Sequence, residues 1–188
     1  LRMRVKSFDS YFNKILRFYN AGRRDNIKIQ DMIGIRVVCS FLGELDVIKR
    51  LLIEHFNVIE VESKGAKHSF REFGYDSIHL LIQLPEDTIT NPIPHCAGVC
   101  EVQLRTKLQD AWAEVEHELI YKSDYSLLNE HLKRKLAALN ASLTLSDIIF
   151  QEIRDYQKDR RQRDEKRRES IKDKIDAIES ISRIDSLD

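Results

Sequence analysis

Hydrophobic and polar residues alternate strictly over residues 100–105 of the chain. Apolar residues at every second position are separated by Glu101, Gln103 and Arg105, and this period of two predicts a β-strand. After Thr106 the period becomes helical, with an apolar stripe at Leu108, Trp112, Val115 and Leu119. The pattern alone fits an edge strand with a solvated polar face as well as a strand that presents functional side chains.

The rest of the amino-terminal region predicts both helices and strands. Ser7 is a good N-cap for an amphipathic helix, and Gly22 ends that helical pattern as a C′ residue. The almost unbroken apolar run over residues 33–41 predicts a strand that is buried on both faces. The other predicted elements are a helix over 44–55, a short strand over 58–61, a basic loop over 62–73, an alternating strand over 75–84 and a loop over 85–98.

Beyond residue 122 a four-three spacing of apolar residues predicts one or two long helices. The stripe comprises Leu132, Leu136, Leu139, Leu143, Ser146, Phe150 and Ile153. So long a stripe should not face water, and we expect it to be buried against the domain, another copy of the chain, or both. The patterns together predict an α/β domain with a mixed β-sheet and flanking helices over residues 1–125. A C-terminal helical extension is predicted over 126–188.

Composition excludes some classes of function. Of the 188 residues, Lys plus Arg and Asp plus Glu each number 31, so the near-zero net charge gives no overall attraction to nucleic acid or anionic membranes. No apolar run approaches the roughly 18 residues of a membrane span, and the amino end has no signal-peptide pattern. Leu1 is not a natural start, so we expect an upstream segment. The three cysteines favour a reducing cytosol, and buried thiols explain Cys96 and Cys100 better than a metal site with His95.

Cationic side chains collect around the first predicted helix. Lys14 and Arg17 share one polar side of it, and Arg4 and Lys6 precede it. Four such cations suit a polyphosphate ligand, although composition alone favours a solvated basic face. Arg36 lies within the apolar run and needs a carboxylate, phosphate or aromatic partner, because an unpaired buried charge costs several kcal/mol.

Four motifs connect these residues to a known family. Residues 101–106 read Glu-x-Gln-x-Arg-Thr and are followed by Trp-Ala, Glu-His and Tyr-Lys. Residues 31–36 read Asp-x-x-Gly-x-Arg, residues 74–79 read Gly-Tyr-x-Ser-x-His, and a basic Arg-x-Lys segment lies at 4–6. In their order and spacing, the motifs resemble the synthetase domain of the RelA/SpoT family, the enzymes that make the alarmones ppGpp and pppGpp. The resemblance covers roughly residues 4–122.

The resemblance implies a nucleotidyltransferase-like fold and the transfer of pyrophosphate from ATP to the 3′-hydroxyl of GDP or GTP. It makes Asp31 a Mg²⁺ ligand, and it makes Glu101 the group that deprotonates the hydroxyl and supplies a second metal contact. The residues that it assigns to ATP are Arg4, Lys6, Lys14, Arg17 and Arg36, the last by stacking on adenine. Strict alternation places Asp31 and Arg36 on opposite faces. A shared ligand therefore predicts a twist or bulge near Gly34.

The same resemblance assigns the acceptor nucleotide to Tyr75, His79, Lys64, Arg71, Gln103 and Asp110. Tyr75 would stack on guanine, and His79 with the two basic residues would hold the phosphates. Asp110 would read guanine, because one carboxylate accepts hydrogen bonds from both N1–H and N2–H. The alternative for Asp110 is to complement the dipole of the helix near its amino end. Gly65 and Phe73 depart from the residues usual in the family, so this segment of the acceptor site differs from the family's pattern.

No segment of the chain resembles the alarmone-hydrolase domain of long family members. The resemblance therefore implies a small, cytoplasmic, synthesis-only member that forms a homodimer or homotetramer. One alternative is a toxin-type relative that pyrophosphorylates tRNA 3′ ends or adenine nucleotides, and the other is an inactive binding module. Asp31 and Glu101 argue against the inactive module, and the charged stretch 160–168 predicts a solvated helix face rather than an RNA-binding arm.

Overall fold

A mixed β-sheet of five strands is the centre of the structure, a computed structural model that describes residues 1–22, 27–64, 77–85, 98–116, 118–119 and 129–184. The strands in these ranges are β1 (Arg2–Val5), β2 (Ile33–Cys39), β3 (Val58–Lys64), β4 (Ser77–Gln83) and β5 (Val99–Thr106). The helices described are α1 (Phe8–Asn20), α2 (Leu42–His55), α3 (Lys107–Glu116) and α4 (Glu130–Ile184). The predicted α/β class is confirmed, and β3 is longer than the strand predicted over 58–61.

The strand order is β1-β2-β5-β4-β3, in which β2 and β5 are parallel and the other neighbours are antiparallel. β5 is therefore the middle strand, and the edge-strand interpretation of residues 100–105 is wrong. Because β5 is paired on both sides, its register is fixed, and its polar side chains are held over the centre of the sheet.

The main hydrophobic core lies between one face of the sheet and α2. Leu80 of β4 and Leu104 of β5 are fully buried, and Val102 is only 3% exposed. Leu45 of α2 is buried in the same cluster. Truncating a core leucine to alanine typically costs about 2–5 kcal/mol, so this packing strongly favours one orientation of the strands. The polar residues of β5 are consequently directed to the opposite face.

The predicted ends of α1 are confirmed. The Ser7 side chain accepts a hydrogen bond from the backbone N–H of Ser10 at 3.4 Å. Gly22 follows the C-cap with φ 77°, a left-handed conformation that glycine adopts without steric cost. The apolar side of α1 packs on a second buried cluster formed by Ile27, Ile29 and Met32.

β2 differs from its prediction in two ways. It is half-buried except at Cys39, so the prediction of burial on both faces is wrong. The physical reason is that Gly34 and Arg36 line an open cavity on the face away from α2. Of the two distortions predicted near Gly34, the bulge is wrong, because β2 pairs with both neighbours in unbroken register from Ile33, and the twist stays a prediction. Asp31 precedes the strand, so strand alternation does not determine the direction of its side chain.

A reciprocal pair of hydrogen bonds begins α3. The Thr106 backbone N–H donates to Gln109 Oε1 at 2.8 Å, and the Gln109 backbone N–H donates to Thr106 Oγ1 at 3.1 Å. This is a capping box, which satisfies two backbone donors at the helix start. Thr106 Oγ1 also donates to Asp147 Oδ2 of α4 at 2.6 Å. Only part of the predicted apolar stripe on α3 is buried, since Trp112 is 2% exposed but Val115 is 45% exposed.

The contacts of the chain define two compact units, Leu1–Asp147 and Ile148–Asp188. The predicted domain boundary at residues 125 and 126 stays a prediction. In the first unit, Asn140 and Asp147 of α4 are buried. None of the helices in the described ranges is long and apolar enough to cross a membrane.

The apolar stripe of α4 is only partly covered by the described chain. Leu132 and Leu139 are 42% and 49% exposed, and Phe150 and Ile153 are 48% and 49% exposed. The other members, Leu136, Leu143 and Ser146, are half-buried. Burial of these exposed residues against the domain, a second copy of the chain, or both stays a prediction.

Candidate active site

Sheet register brings several of the predicted site residues, together with Arg2 and Gly34, into two adjacent rows on the polar face. In one row, Arg4 of β1, Gly34 of β2 and Glu101 of β5 are neighbours. A Cβ atom added at Gly34 would lie 3.7 Å from Arg4 Cγ, so the Arg4 side chain crosses over that residue. The second row contains Arg2, Arg36, Gln103 and His79. Paired residues have Cβ atoms about 4.5–5.5 Å apart, so charged side chains from four strands come within reach of one another.

Two lysines hold the Asp31 carboxylate. Lys6 Nζ donates to Oδ2 at 2.7 Å, and Lys14 Nζ donates to Oδ1 at 2.8 Å. The backbone N–H of Lys6 also donates to the Met32 carbonyl at 2.8 Å, which fixes the segment between β1 and α1 beside Asp31. Burial alone would raise the pKa of Asp31, but hydrogen bonds and charge from Lys14 and Lys6 outweigh it and lower that pKa. The predicted metal ligand is therefore an ionised carboxylate between two cations.

Glu101 is held by hydrogen bonds at both carboxylate oxygens. His79 Nδ1 lies 2.7 Å from Oε1, and Gln103 Nε2 donates to Oε2 at 3.1 Å. His79 Nε2 in turn lies 2.9 Å from Ser77 Oγ. The expectation that the polar residues of β5 face water is wrong for Glu101, whose side chain is 16% exposed, and the His79 side chain is 9% exposed.

A second ionic cluster joins the sheet to α3. Arg36 Nη1 donates to Asp110 Oδ1 at 2.9 Å, and Arg2 Nη1 lies 3.5 Å from Asp110 Oδ2. Glu114 also accepts a hydrogen bond from Arg2 and lies 3.5 Å from Arg36 Nη1. The structure thus brings together one residue assigned to ATP and one assigned to guanine, because Arg36 and Asp110 form a direct ion pair.

Arg105 adds a half-buried cation to the same face of β5. Burial lowers the pKa of its guanidinium, and nearby Arg36 acts in the same direction, while Asp110 and Glu101 oppose both effects. Arg105 Nε is buried and has no hydrogen-bond partner among the described residues. Because the side chain lines the large cavity described next, it supplies positive charge to any ligand there.

Two cavities open on the polar face within the described part of the first unit. The larger has a volume of about 1530 Å³, above the roughly 300–1,000 Å³ of a typical small-molecule site. The cationic residues that line it are Arg4, Lys6, Lys14, Arg17, Arg36 and Arg105. The smaller, of about 250 Å³, is lined by both Asp31 and Glu101. The predicted catalytic carboxylates therefore share one cavity beside a larger cationic one.

Part of the predicted acceptor site lies outside the described residues. Arg71 and Tyr75 are in that part, as are Gly65 and Phe73. For Lys64 only the backbone is described, at the end of β3, where it pairs with Ser77. Gln103 and His79 are the predicted acceptor residues that the structure places beside Glu101.

A family model decides where this arrangement belongs. The model of the region found in RelA / SpoT proteins matches residues 3–126, which include every predicted site residue. The chain belongs to the RelA/SpoT family. The resemblance inferred from the four motifs is thereby confirmed.

Two relatives in the family are similar over most of this region. GTP pyrophosphokinase YwaC of Bacillus subtilis (strain 168) is 33% identical over 123 residues, which cover 64% of this chain and 57% of that protein. GTP pyrophosphokinase YjbM of the same strain is 30% identical over 128 residues, which cover 67% of this chain and 58% of that protein. The matched region thus spans less than two thirds of the length of these curated relatives.

Solved structures in the RelA/SpoT family share the fold. The small alarmone synthetase 1 of Bacillus subtilis, bound to its product pppGpp, superposes with a TM-score of 0.66 at 29% sequence identity. The superposition covers 82% of this chain and 77% of that chain. The predicted synthetase fold is confirmed by this similarity.

The structure also adds residues that sequence reasoning did not assign to the site. Ser77 and Arg105 each lie two residues from a predicted site residue on the same strand, so their faces were deducible from the period of two. Glu114 follows Asp110 by one helical turn, so its place beside Asp110 was deducible from the helical period. Arg2 had no sequence signal, because its place depends on the pairing of β1 with β2.

Proposed function

We propose that this protein transfers the pyrophosphate group of ATP to the 3′-hydroxyl of GDP or GTP, producing AMP and ppGpp or pppGpp. The observation that carries the proposal is the position of Glu101, which is held at both oxygens on the wall of a cavity that Asp31 also lines. The names of the two Bacillus relatives and the product bound to small alarmone synthetase 1 support the same activity.

The donor site in this proposal is the larger cavity. Arg4, Lys6, Lys14 and Arg17 line it and would hold the phosphates of ATP, because ammonium and guanidinium groups form strong charge-assisted hydrogen bonds with phosphate oxygens. Arg36 lines the same cavity and would stack on adenine, with its guanidinium oriented by Asp110.

The carboxylates fit a Mg²⁺ ion that binds together with the nucleotide. Mg²⁺ usually takes one or two protein carboxylates plus substrate phosphates, and Asp31 and Glu101 share the smaller cavity. No group of three or more His, Cys, Asp and Glu side chains among the described residues is arranged to hold a metal ion by itself. When bound, the ion would neutralise charge on the transferred phosphates. Asp31 would contact it through carboxylate lone pairs that Lys6 and Lys14 do not occupy, or after these lysines move to the phosphates.

The acceptor would lie on the Glu101 side of the site. Gln103 and His79 are beside that carboxylate, and Lys64, Arg71 and Tyr75 are proposed to complete the contacts with phosphates and guanine. The guanine-reading role of Asp110 stays a prediction, since Arg36 uses the same carboxylate in this structure.

The residues act mainly by positioning and by electrostatics. The acceptor 3′-oxygen forms a bond to the β-phosphorus of ATP, while the bond from that phosphorus to the oxygen shared with the α-phosphorus breaks and AMP leaves. Glu101 accepts the hydroxyl proton, and its hydrogen bonds to His79 and Gln103 keep it in one place for this transfer. Lys6, Lys14 and their neighbouring arginines stabilise the negative charge of the transferred group.

Two conservative substitutions test the proposal. Asp31→Asn and Glu101→Gln should each lower the rate of synthesis about a hundredfold or more, because an amide neither binds Mg²⁺ well nor accepts the proton. The assay supplies Mg²⁺ and labelled ATP with GDP, GTP, ATP alone or tRNA, and follows which molecule acquires label. We expect GDP and GTP to be labelled.

Glu60→Gln is the matched control. Glu60 is exposed on β3, where it pairs with Leu81, which in turn pairs with Glu101. The control therefore replaces the same carboxylate by an amide at a residue that does not line either cavity. Retention of more than about a tenth of the wild-type rate in either site variant would overturn the catalytic assignment. Label on tRNA or on an adenine nucleotide in place of a guanine nucleotide would overturn the proposed acceptor.

A homo-oligomer and a cytoplasmic location are part of the proposal. The exposed apolar residues of α4, Leu132, Leu139, Phe150 and Ile153, support self-association, because a second copy would remove them from water. The free, buried thiols of Cys39 and Cys100 are consistent with a reducing compartment. Burial raises the pKa of both thiols, with Glu44 and Glu101 adding to the effect at Cys39 and Cys100 respectively.

A further inference from the structure

Ser77, His79 and Glu101 form one chain of hydrogen bonds that ends at the smaller cavity. Ser77 Oγ lies 2.9 Å from His79 Nε2, and His79 Nδ1 lies 2.7 Å from Glu101 Oε1. Ser77 and His79 are each 8% exposed, whereas Glu101 lines the cavity. This series of hydrogen bonds therefore runs from two buried side chains to a carboxylate at the cavity wall.

We infer that Ser77 is a positioning residue, which acts through His79 to hold Glu101 in the orientation needed for proton transfer. This inference rests on the proposed function, in which Glu101 is the base. A carboxylate only accepts hydrogen bonds, so His79 Nδ1 must carry the proton that faces Glu101. The Ser77 hydroxyl lies 2.9 Å from Nε2, the other ring nitrogen, so this contact holds the imidazole in the orientation that directs Nδ1 to Glu101.

The register of β4 and β5 explains the geometry. His79 is paired with Gln103, so Glu101 is its diagonal neighbour, at a Cβ distance that long side chains can span. Ser77 precedes His79 by two residues and shares its face of the sheet. The imidazole thus contacts Ser77 through one ring nitrogen and Glu101 of the neighbouring strand through the other.

The order of the three residues relative to the cavity argues against a role for Ser77 as the nucleophile of a hydrolase. The same three kinds of residue form the nucleophilic triad of serine hydrolases, but there the serine faces the substrate and the acid is buried. Here Glu101 lines the smaller cavity, while Ser77 is absent from the lining of both cavities described above and is 8% exposed. The arrangement therefore favours Ser77 as a support for the carboxylate over Ser77 as a nucleophile.

This arrangement also predicts how His79 contributes. Both of its ring nitrogens are within hydrogen-bonding distance of protein groups, one at Ser77 and one at Glu101. Loss of this support should release Glu101 to sample other rotamers, which lowers the fraction of molecules ready for proton transfer. The effect should therefore fall on kcat rather than on KM for the acceptor.

Ser77→Ala is the principal test, with Ser63→Ala as the matched control. Ser63 is an exposed serine of β3 that is paired with Ile78, so the control makes the same chemical change in the neighbouring strand. Because one neutral hydrogen bond is lost, we expect Ser77→Ala to lower kcat about three- to tenfold and to leave KM for GDP within about twofold. A kcat equal to that of the control, or an effect on KM alone, would overturn the inference.

A pair of His79 variants provides a second test that does not depend on Ser77→Ala folding. Asparagine places its amide near the Nδ1 position and can still donate to Glu101, whereas glutamine places its amide near Nε2. His79→Asn should therefore retain at least about threefold more kcat than His79→Gln. Equal values, or the reverse order, would contradict the positioning role.

Nitrogen NMR of the histidine-labelled full chain gives a readout without turnover. The His79 signals are assigned by their loss in His79→Asn, and they should show the tautomer protonated at Nδ1. Ser77→Ala should shift the Nε2 resonance, and Ser63→Ala should not. Unchanged His79 signals in Ser77→Ala would remove the basis of the inference.

Glu101→Gln separates this inference from the proposed function. If that variant still makes alarmone at more than about a tenth of the wild-type rate, Glu101 is not the base and the proposed function fails first. If Glu101→Gln is inactive while Ser77→Ala behaves like Ser63→Ala, only the positioning role fails.

Discussion

Replacing Asp110 with alanine should impair the use of ATP more than the use of GDP. The carboxylate was predicted to read guanine, but its Oδ1 accepts a hydrogen bond from Arg36 at 2.9 Å, and its Oδ2 lies 3.5 Å from Arg2 Nη1. Its side chain is 8% exposed, so little of its surface is left for an acceptor base. The expected loss therefore acts through Arg36, which is assigned to adenine.

The magnitude follows from the ion pair. A hydrogen bond between charged groups contributes about 1.5–3 kcal/mol. Glu114 lies 3.5 Å from the same Arg36 nitrogen and can replace part of the interaction, so about 1.5–2 kcal/mol is the better value. At about 1.4 kcal/mol per factor of ten, KM for ATP should rise roughly ten- to thirtyfold. Asp110→Asn keeps an acceptor oxygen but loses the charge, and a neutral bond is about half as strong, so the rise should be about three- to fivefold.

Initial rates with ATP and GDP varied in turn measure both KM values, once circular dichroism has shown that each variant is folded. Asp46→Ala is the matched control, since Asp46 is an exposed carboxylate on α2 that pairs with Lys49 at 3.2 Å. An unchanged KM for ATP with a selective rise in KM for guanine acceptors would refute the role through Arg36. That outcome would support the guanine-reading role instead.

Two further predictions concern stability and assembly. Because Lys14 and Lys6 lower the pKa of Asp31, this carboxylate stabilises the fold above its unfolded pKa, and the stabilisation is lost as pH falls through the lower folded value. Urea unfolding at neutral pH should thus give a lower free energy of unfolding for Asp31→Asn than for wild type. The difference should narrow below about pH 4, and a difference that stays constant with pH would contradict this. Aspartate at Leu139 and Phe150 should shift sedimentation toward a monomer more than deletion of residues 157–188 does, and a wild-type monomer at all concentrations would refute self-association.

The sequence predicted those parts of the fold that neighbouring residues specify. Ser7 and Gly22 mark the ends of α1 because a capping side chain and a left-handed turn are local properties. The alternation over residues 100–105 likewise identified β5 and its two faces. It did not identify the position of the strand in the sheet, because an alternating pattern is the same for a central strand and an edge strand.

The pairings within the site depend on contacts between distant segments, which a local pattern does not encode. Arg36 and Asp110 are 74 residues apart, and His79 and Glu101 are 22 apart. The bulge predicted at Gly34 illustrates the same limit. The alternation was extended back to Asp31, which lies before the first residue of the strand, so no distortion is needed to bring its side chain to the polar face.

The net charge of the chain is near zero, and within the site carboxylates and cations are paired with one another. Lys6 and Lys14 hold Asp31, and they are also the groups proposed to hold the phosphates of ATP. A polyphosphate carries more negative charge than one carboxylate, so its binding would draw both ammonium groups away from Asp31. Before that exchange, the two lysines repel a free divalent cation from the carboxylate. In the proposed function, the same two lysines hold Asp31 before the donor nucleotide binds and hold its phosphates afterwards.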